Sequence, residues 1–231
     1  YIDADYLEGV DDDRQPTGEV FSRKDINDID VTMARISARW APSAETDIIL
    51  SHAYQKDEVK GSTAASEGLG GYNTGAKMIG EFEREVNITS LVIEHELGNS
   101  AVLTSSTAFT SNEADNMHDQ SYGYSYQSFW EFYAGIPREV VQGVKHYKND
   151  TFTQELRLTG SSDSIDWLVG GYYADQDYDE TADDFIFGVD TFYAMETPIE
   201  PDLGYRNVQV TEFEDRAVFA ELTYHISDDW Q

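Results

Sequence analysis

Aromatic rings set among acids are the side chains of this sequence whose types and spacing could do chemistry. Between residues 113 and 149 stand Tyr122, Tyr124, Tyr126, Phe129, Trp130, Phe132 and Tyr133, in a stretch otherwise rich in Asp, Ser and Gln. So many rings are costly to leave in water, so they either pack into a small core of their own or offer a surface on which a ligand stacks. Tyr122, Tyr124, Tyr126, Trp130 and Tyr133 are the candidate ligand-binding residues, with Trp130 and Tyr126 flanking the site. The neighbouring Asp115, Asp119 and Glu131 disfavour strongly anionic ligands.

Other constellations are weaker. Asp175, Asp177 and Asp179 have the opening spacing of an EF-hand loop, but Glu180 stands where that loop needs Gly, and Ile186 where it needs a bidentate Glu. Looser calcium or magnesium binding by loop acids such as Asp11, Asp12 and Asp13, or Asp183 and Asp184, competes with a plain solvated acidic loop. Gly68, Gly70, Gly71 and Gly75 lack the last glycine of a dinucleotide fingerprint, replaced by Asn73, and read as a loop. His52, His95, His118, His146 and His225 are too scattered for a zinc site. His52 and His95 interrupt apolar faces, where a hydrogen-bonded strand residue is the simpler reading. Pairs such as Glu94 with Glu96, or Glu155 with Glu221, follow from the abundance of acids and do not argue for acid-base catalysis. No catalytic, metal or cofactor residue is assigned, and the chain is not read as an enzyme.

The elements that must position these residues are strands. Ala34, Ile36, Ala38 and Trp40 alternate with Arg35, Ser37 and Arg39, the period-2 pattern of a strand with one apolar face. Comparable alternation predicts seven strands, at about 27–40, 46–57, 82–97, 101–112, 150–160, from the next turn to about 177, and 214–226. A further strand tail is expected at about 1–7. Short polar turns fall near 41–45, 98–100, 161–164 and 227–229. Long loops fall near 58–81, 113–149 and 178–213, a length uncommon in compact soluble domains. Trp40, Trp167 and Tyr224 lie near short turns, and Tyr54, Phe109 and Tyr173 near the long loops, as two interfacial girdles would require. The fold class expected is all-β: an antiparallel up-and-down meander of about seven strands, an incomplete part of a transmembrane β-barrel.

Composition bounds the function. With 45 acidic residues against 15 basic ones, a formal charge of -30, the surface repels nucleic acid. A 13% aromatic content is too rich for a disordered acidic tail. Cysteine is absent from the sequence, which excludes disulfides and thiolate-held zinc. No apolar run approaches the roughly 18 residues of a membrane helix, so any crossing is made by strands. The chain opens on Tyr1 and closes on an acidic turn at Asp229, so both ends are expected to continue.

Three segments carry a resemblance. Asn27 through Pro42, the stretch Thr153 to Leu158 followed by Trp167 to Tyr173, and Ala217 to Tyr224 resemble barrel strands of TonB-dependent outer-membrane receptors. The resemblance covers nearly the whole chain, strongest at the strands and missing in the loops. It implies a barrel of roughly 22 strands with a plugged lumen, located in the bacterial outer membrane, contacting lipid and energised by the TonB system. It also implies an extracellular small-molecule ligand such as a siderophore, a vitamin or a glycan, and makes Arg35, Arg39 and Arg157 lumen counter-charges facing the plug. The sequence has neither plug domain nor TonB-contacting box, so energy coupling is assigned to no residue here. A passive porin shares the strands, and a secreted soluble β-sandwich that binds or hydrolyses carbohydrate is the alternative from another class. The sequence predicts that alanine at Trp130 in the full receptor weakens ligand binding and uptake while folding is unchanged. Unaltered affinity in a correctly inserted variant would leave those aromatics only a packing role.

Overall fold

Long antiparallel strands dominate the computed structural model, which describes residues 2–10, 16–61, 64–98, 100–126, 140–196 and 200–226. In chain order they are β1 (Asp3–Val10), β2 (Pro16–Arg23), β3 (Ile29–Ser43), β4 (Thr46–Lys60), β5 (Asn73–Thr74), β6 (Glu81–Glu96), β7 (Ala101–Asp119), β8 (Val141–Ser161), β9 (Ile165–Ile186) and β10 (Leu203–Tyr224). Two short helices, α1 (Ser121–Tyr126) and α2 (Val189–Tyr193), follow β7 and β9. Seven strands form one sheet in the order β10-β9-β8-β7-β6-β4-β3, antiparallel throughout and not closed on itself. The fold is thus all-β, an up-and-down meander with each strand beside its successor.

Short turns tie the strands at one end. Ser43 and Thr46 share a side-chain hydrogen bond at 3.2 Å, and Glu45 N–H donates to Ser43 Oγ at 3.3 Å. Gly98, at φ 70, supplies the left-handed residue of the β6–β7 turn. In the β8–β9 turn, Ser162 Oγ accepts from Ile165 N–H at 3.2 Å. The turn expected at 227–229 lies outside the described residues.

At the other end the ladders run past the expected strand ends. β7, β8, β9 and β10 reach 19, 21, 22 and 22 residues, which leaves connections of 61–80, 120–140 and 187–202, shorter than the expected loops. The β8 and β9 extensions carry polar residues on both faces, with Lys145, His146, Lys148 and Asn149 in β8 and Asp179, Glu180, Asp183 and Asp184 in β9. Hydrophobic alternation reports a difference between faces, so a ladder polar on both sides is invisible to it. The tail expected at 1–7 does form a strand, but β1 joins β2 and β5 in a separate three-stranded sheet and not the meander. Its register is set by short-range pairing with β2, a contact that alternation within 1–7 cannot specify.

Directly paired residues share a face. One row across the sheet reads Trp40, Ile48, Ile93, Ser105, Leu156, Gly171 and Val218, and the next short-turn row carries Leu103, Leu158, Val169 and Ala220. This face is apolar and uncovered: Leu156, on a central strand, is 51% exposed, and Val218 is 90% exposed. The opposite face carries rows such as Arg39, Ile49, Val92, Ser106, Glu155, Tyr172 and Ala217. The two hydrophobic clusters lie at the long-loop end. One joins Tyr124, Val141, Ile186 and Val189, and the other Ile2, Ala4, Leu7 and Ile26, with Ile79 packed on it.

The small sheet is fastened to the meander at a point that requires glycine. Gly61 has φ 78, and a Cβ there would lie 1.9 Å from the Ile26 carbonyl oxygen. Around it Ile26 N–H donates to Ile2 O, Lys60 N–H to Asp28 O, and Gly61 N–H to Gly80 O. Replacing Gly61 by alanine is expected to cost roughly 1–3 kcal/mol in local opening, from forced φ and backbone collision. Amide hydrogen exchange at Ile26 and Lys60 should accelerate accordingly, and unchanged protection would refute the constraint.

Candidate functional site

The long-loop end gathers three connections, two helices and the small sheet around the tops of the strands. Asp119, the last residue of β7, joins two of them: its Oδ1 accepts from Ser121 N–H at 2.8 Å, and its Oδ2 accepts from Lys77 N–H at 2.5 Å. A cleft of about 560 Å³ opens between connection 61–80 and the ends of β6 and β7. That volume suits a small molecule. Its walls include Met78, Met117, Phe82 and Tyr122, with Ser66, Thr74, Asn116 and His118 as polar groups. Thioethers adapt to irregular ligands, and the polar groups would orient one.

His118 is held by its surroundings. Its ring lies over Gly143, where a Cβ would approach Cε1 to 2.5 Å, so any larger residue at 143 would displace it. His118 Nε2 and Gln120 Oε1 are 3.2 Å apart, and His118 Nδ1 is buried with no hydrogen-bond partner among the described residues. Val59, Phe82, Asn116 and His118 all belong to the polar face by register.

The aromatic residues expected to contact a ligand separate. Tyr122 is exposed and lines the cleft. Tyr124 is buried in the cluster with Val141, Ile186 and Val189, and its hydroxyl donates to Asp184 Oδ2 at 2.6 Å, so its role is packing. Tyr126 ends α1. Trp130 and Tyr133 lie outside the described residues. The sequence reading did not single out Met78, Phe82 and Met117 and left His118 among scattered histidines; Met78 lies in the 61–80 connection and the other three on β6 and β7, brought together by a return that is set by tertiary bonds. His118 carried a weak signal, a histidine beside Asp119 in a stretch expected as a loop.

Below the cleft, the same face presents charges that neutralise one another. One row runs Val31, Asp57, Arg84, Ala114, Tyr147, Glu180 and Gln209. Arg84 Nε donates to Asp57 Oδ2 at 2.9 Å, and hydrogen bonds from Gln55 and Arg84 hold the Asp57 carboxyl below its ordinary range. Lys145 pairs with Glu180 at 2.8 Å and lowers its pKa, with help from Tyr178. Tyr178 stacks on Tyr147 with centroids 6.3 Å apart, and its hydroxyl is pushed up to about 12 by the hydrogen bond to Glu180 and by burial. Despite the net charge of the chain, this wall is locally ion-paired.

The remaining constellations resolve into structure. Asp175, Asp177 and Asp179 lie along β9 in an unbroken ladder, an extended geometry that cannot wrap an ion as an EF-hand loop does. His52 and His95 bond to Thr89 and Thr46 on neighbouring strands, each at 2.9 Å. Arg39 pairs with Asp47 at 2.7 Å, and Arg157 lies 3.8 Å from Glu155, all on the polar face. Among the described residues no three His, Asp or Glu side chains converge as a metal-ligand set. No protein-family model matches the chain, and no curated protein is similar to it at a significant level.

Tyr124→Phe should weaken the long-loop end by roughly 1.5–3 kcal/mol, since a hydrogen bond to a charged group is lost. Tyr122→Ala should change stability by less than about 0.5 kcal/mol. Hydrogen exchange of the Gln120 and Phe187 amides, which bond to Val141 O and Val140 O, reads both. Equal effects of the two substitutions would refute the division between packing and cleft.

Proposed function

We propose that this chain is a wall segment of an outer-membrane β-barrel receptor of the TonB-dependent kind, serving energised uptake of a scarce nutrient such as a siderophore, vitamin or glycan. The observation that carries the reading is the uncovered apolar face of the meander. Register puts all six girdle aromatics on it: Trp40, Trp167 and Tyr224 toward the short turns, Tyr54, Phe109 and Tyr173 toward the long connections. At the level of Tyr173, the Arg216 guanidinium lies 5.7 Å from the ring centroid, a cation over an aromatic face as at a lipid headgroup boundary. Ile36 is 71% and Leu222 67% exposed, although both belong to strands of the sheet. A soluble sandwich would bury this face against a second sheet; among the described residues none lies over it.

Strand length supports the same reading. A bilayer crossing takes about 9–11 tilted residues, while β9 and β10 have 22 each. The surplus is the extension beyond Tyr173, rich in polar residues in β9, which would stand above the lipid in the extracellular space. The outer edges of β3 and β10 lack strand partners in the sheet, so closure needs further strands.

The test is fractionation of the full-length protein together with Leu156→Arg. The protein should partition with outer membranes, and the substitution should cost roughly 2–4 kcal/mol of folding free energy in lipid if Leu156 lies near the midplane. A soluble protein, or an unchanged folding free energy, would overturn the membrane reading. Uptake that persists after collapse of the inner-membrane proton gradient would replace the receptor by a passive porin.

A further inference from the structure

The cleft at the long-loop end carries charge of one sign only. Among the described residues that line it there is no lysine or arginine, while Asp119 stands in its wall. The bases near it in sequence and register are already engaged. Lys77 lies 3.6 Å from Glu8, Arg84 pairs with Asp57, and Lys145, directly beside Asn116 in the ladder, pairs with Glu180 at 2.8 Å. Asp119 is bonded by the backbone N–H groups of Ser121 and Lys77, and by no lysine or arginine side chain among the described residues. A carboxylate offers about four lone-pair sites, so its oxygens keep room for a further donor.

Much of the remaining wall is apolar or aromatic, with Val59 from β4, Met78 from the connection, Phe82 from β6 and the exposed ring of Tyr122. Walls of this kind shape an apolar body and leave orientation to a few polar groups. An anionic head would find no base there, in a chain whose formal charge is -30. A neutral ligand would take water from the Asp119 carboxylate and return no counter-charge, which is costly. A bare metal ion is not served either, because no three His, Asp or Glu side chains converge among the described residues, and a hard cation takes six or more oxygen ligands. A positive head on an apolar body meets each condition, since aromatic rings attract cations and a carboxylate is a strong charge-assisted acceptor.

We propose that the cleft binds a small organic cation, an ammonium group carried on an apolar or aromatic body, with Tyr122 and Phe82 as its aromatic walls and Asp119 as its counter-charge. The inference rests on reading the cleft as the nutrient site of the proposed receptor, and it narrows the nutrient to positively charged molecules. Its volume of about 560 Å³ is that of a site for one drug-sized ligand. The negative field of the chain also draws cations toward it, so association should slow as salt is raised.

The experiment uses the full-length protein, purified in detergent micelles, and three probes that share a benzyl group and a tetrahedral head: the cation benzyltrimethylammonium, the neutral benzyl methyl sulfone and the anion phenylmethanesulfonate. Dissociation constants are read by saturation-transfer NMR, with empty micelles as the blank. The cation should bind about tenfold tighter than the neutral probe, and the anion should not compete with it. Asp119→Asn should weaken the cation by about tenfold and leave the neutral probe unchanged. Should that variant fail to fold, Tyr122→Leu carries the comparison, weakening the cation roughly threefold and the neutral probe less. Equal affinity of the wild type for cation and neutral probe, no binding of the cation, or equal weakening of both probes in the folded variant would overturn the proposal. Fractionation of the same protein is an independent readout: lost charge selectivity in an outer-membrane protein removes the ligand class alone, and a soluble protein that binds the cation removes the membrane reading alone.

Discussion

Backbone pairing without side-chain burial is the constraint on which the rest of this structure depends. Seven strands satisfy one another's amides across a continuous antiparallel ladder, yet among the described residues protein covers it only at the long-loop end. In water such a sheet would gain little from the hydrophobic effect, the dominant favourable term in folding. On the proposed membrane reading, a hydrocarbon layer covers the apolar face while leaving the ladder intact. The same reasoning makes the outer edges of β3 and β10 reactive, because unpaired amides and carbonyls tolerate neither lipid nor an apolar neighbour.

The two ends of the sheet solve different problems. At the short-turn end, hydroxyls of Ser43, Thr46 and Ser162 and the left-handed Gly98 reverse the chain in a few residues, with no core. At the long-connection end the chain builds what the sheet lacks. Two small apolar clusters form there, Asp119 ties two connections together, and Tyr124 anchors α1 to β9 through Asp184. This end is thus a fitted cap, and its cleft is shaped by tertiary bonds.

Charge follows a similar division. Where polar strands face each other, acids are matched by the few available bases: Asp57 by Arg84, Glu180 by Lys145, Asp183 by Arg206. With three times as many acids as bases in the sequence, that matching must run out. Among the described residues, Asp202 is buried with one carboxylate oxygen that has no hydrogen-bond partner.

Local patterning determined the strand content, the antiparallel order and the identity of the apolar face, because a period of two reports directly which residues share a side. Ile36 and Trp40 were legible for that reason, and so were the short turns near 41–45, 98–100 and 161–164. The extension of β8 and β9 was not legible, since Lys148, Asn149, Asp179 and Glu180 put polar residues on both faces and a ladder of that kind leaves no hydrophobic signature. Nor was the separation of Tyr122 from Tyr124, two residues apart in one aromatic run, because burial depends on Val141 and Ile186 arriving from strands and Val189 from α2. The same holds for the cleft and for Asp202: composition made acids and aromatics abundant, but which of them lose water is a property of how three connections pack together, and that only the tertiary structure decided.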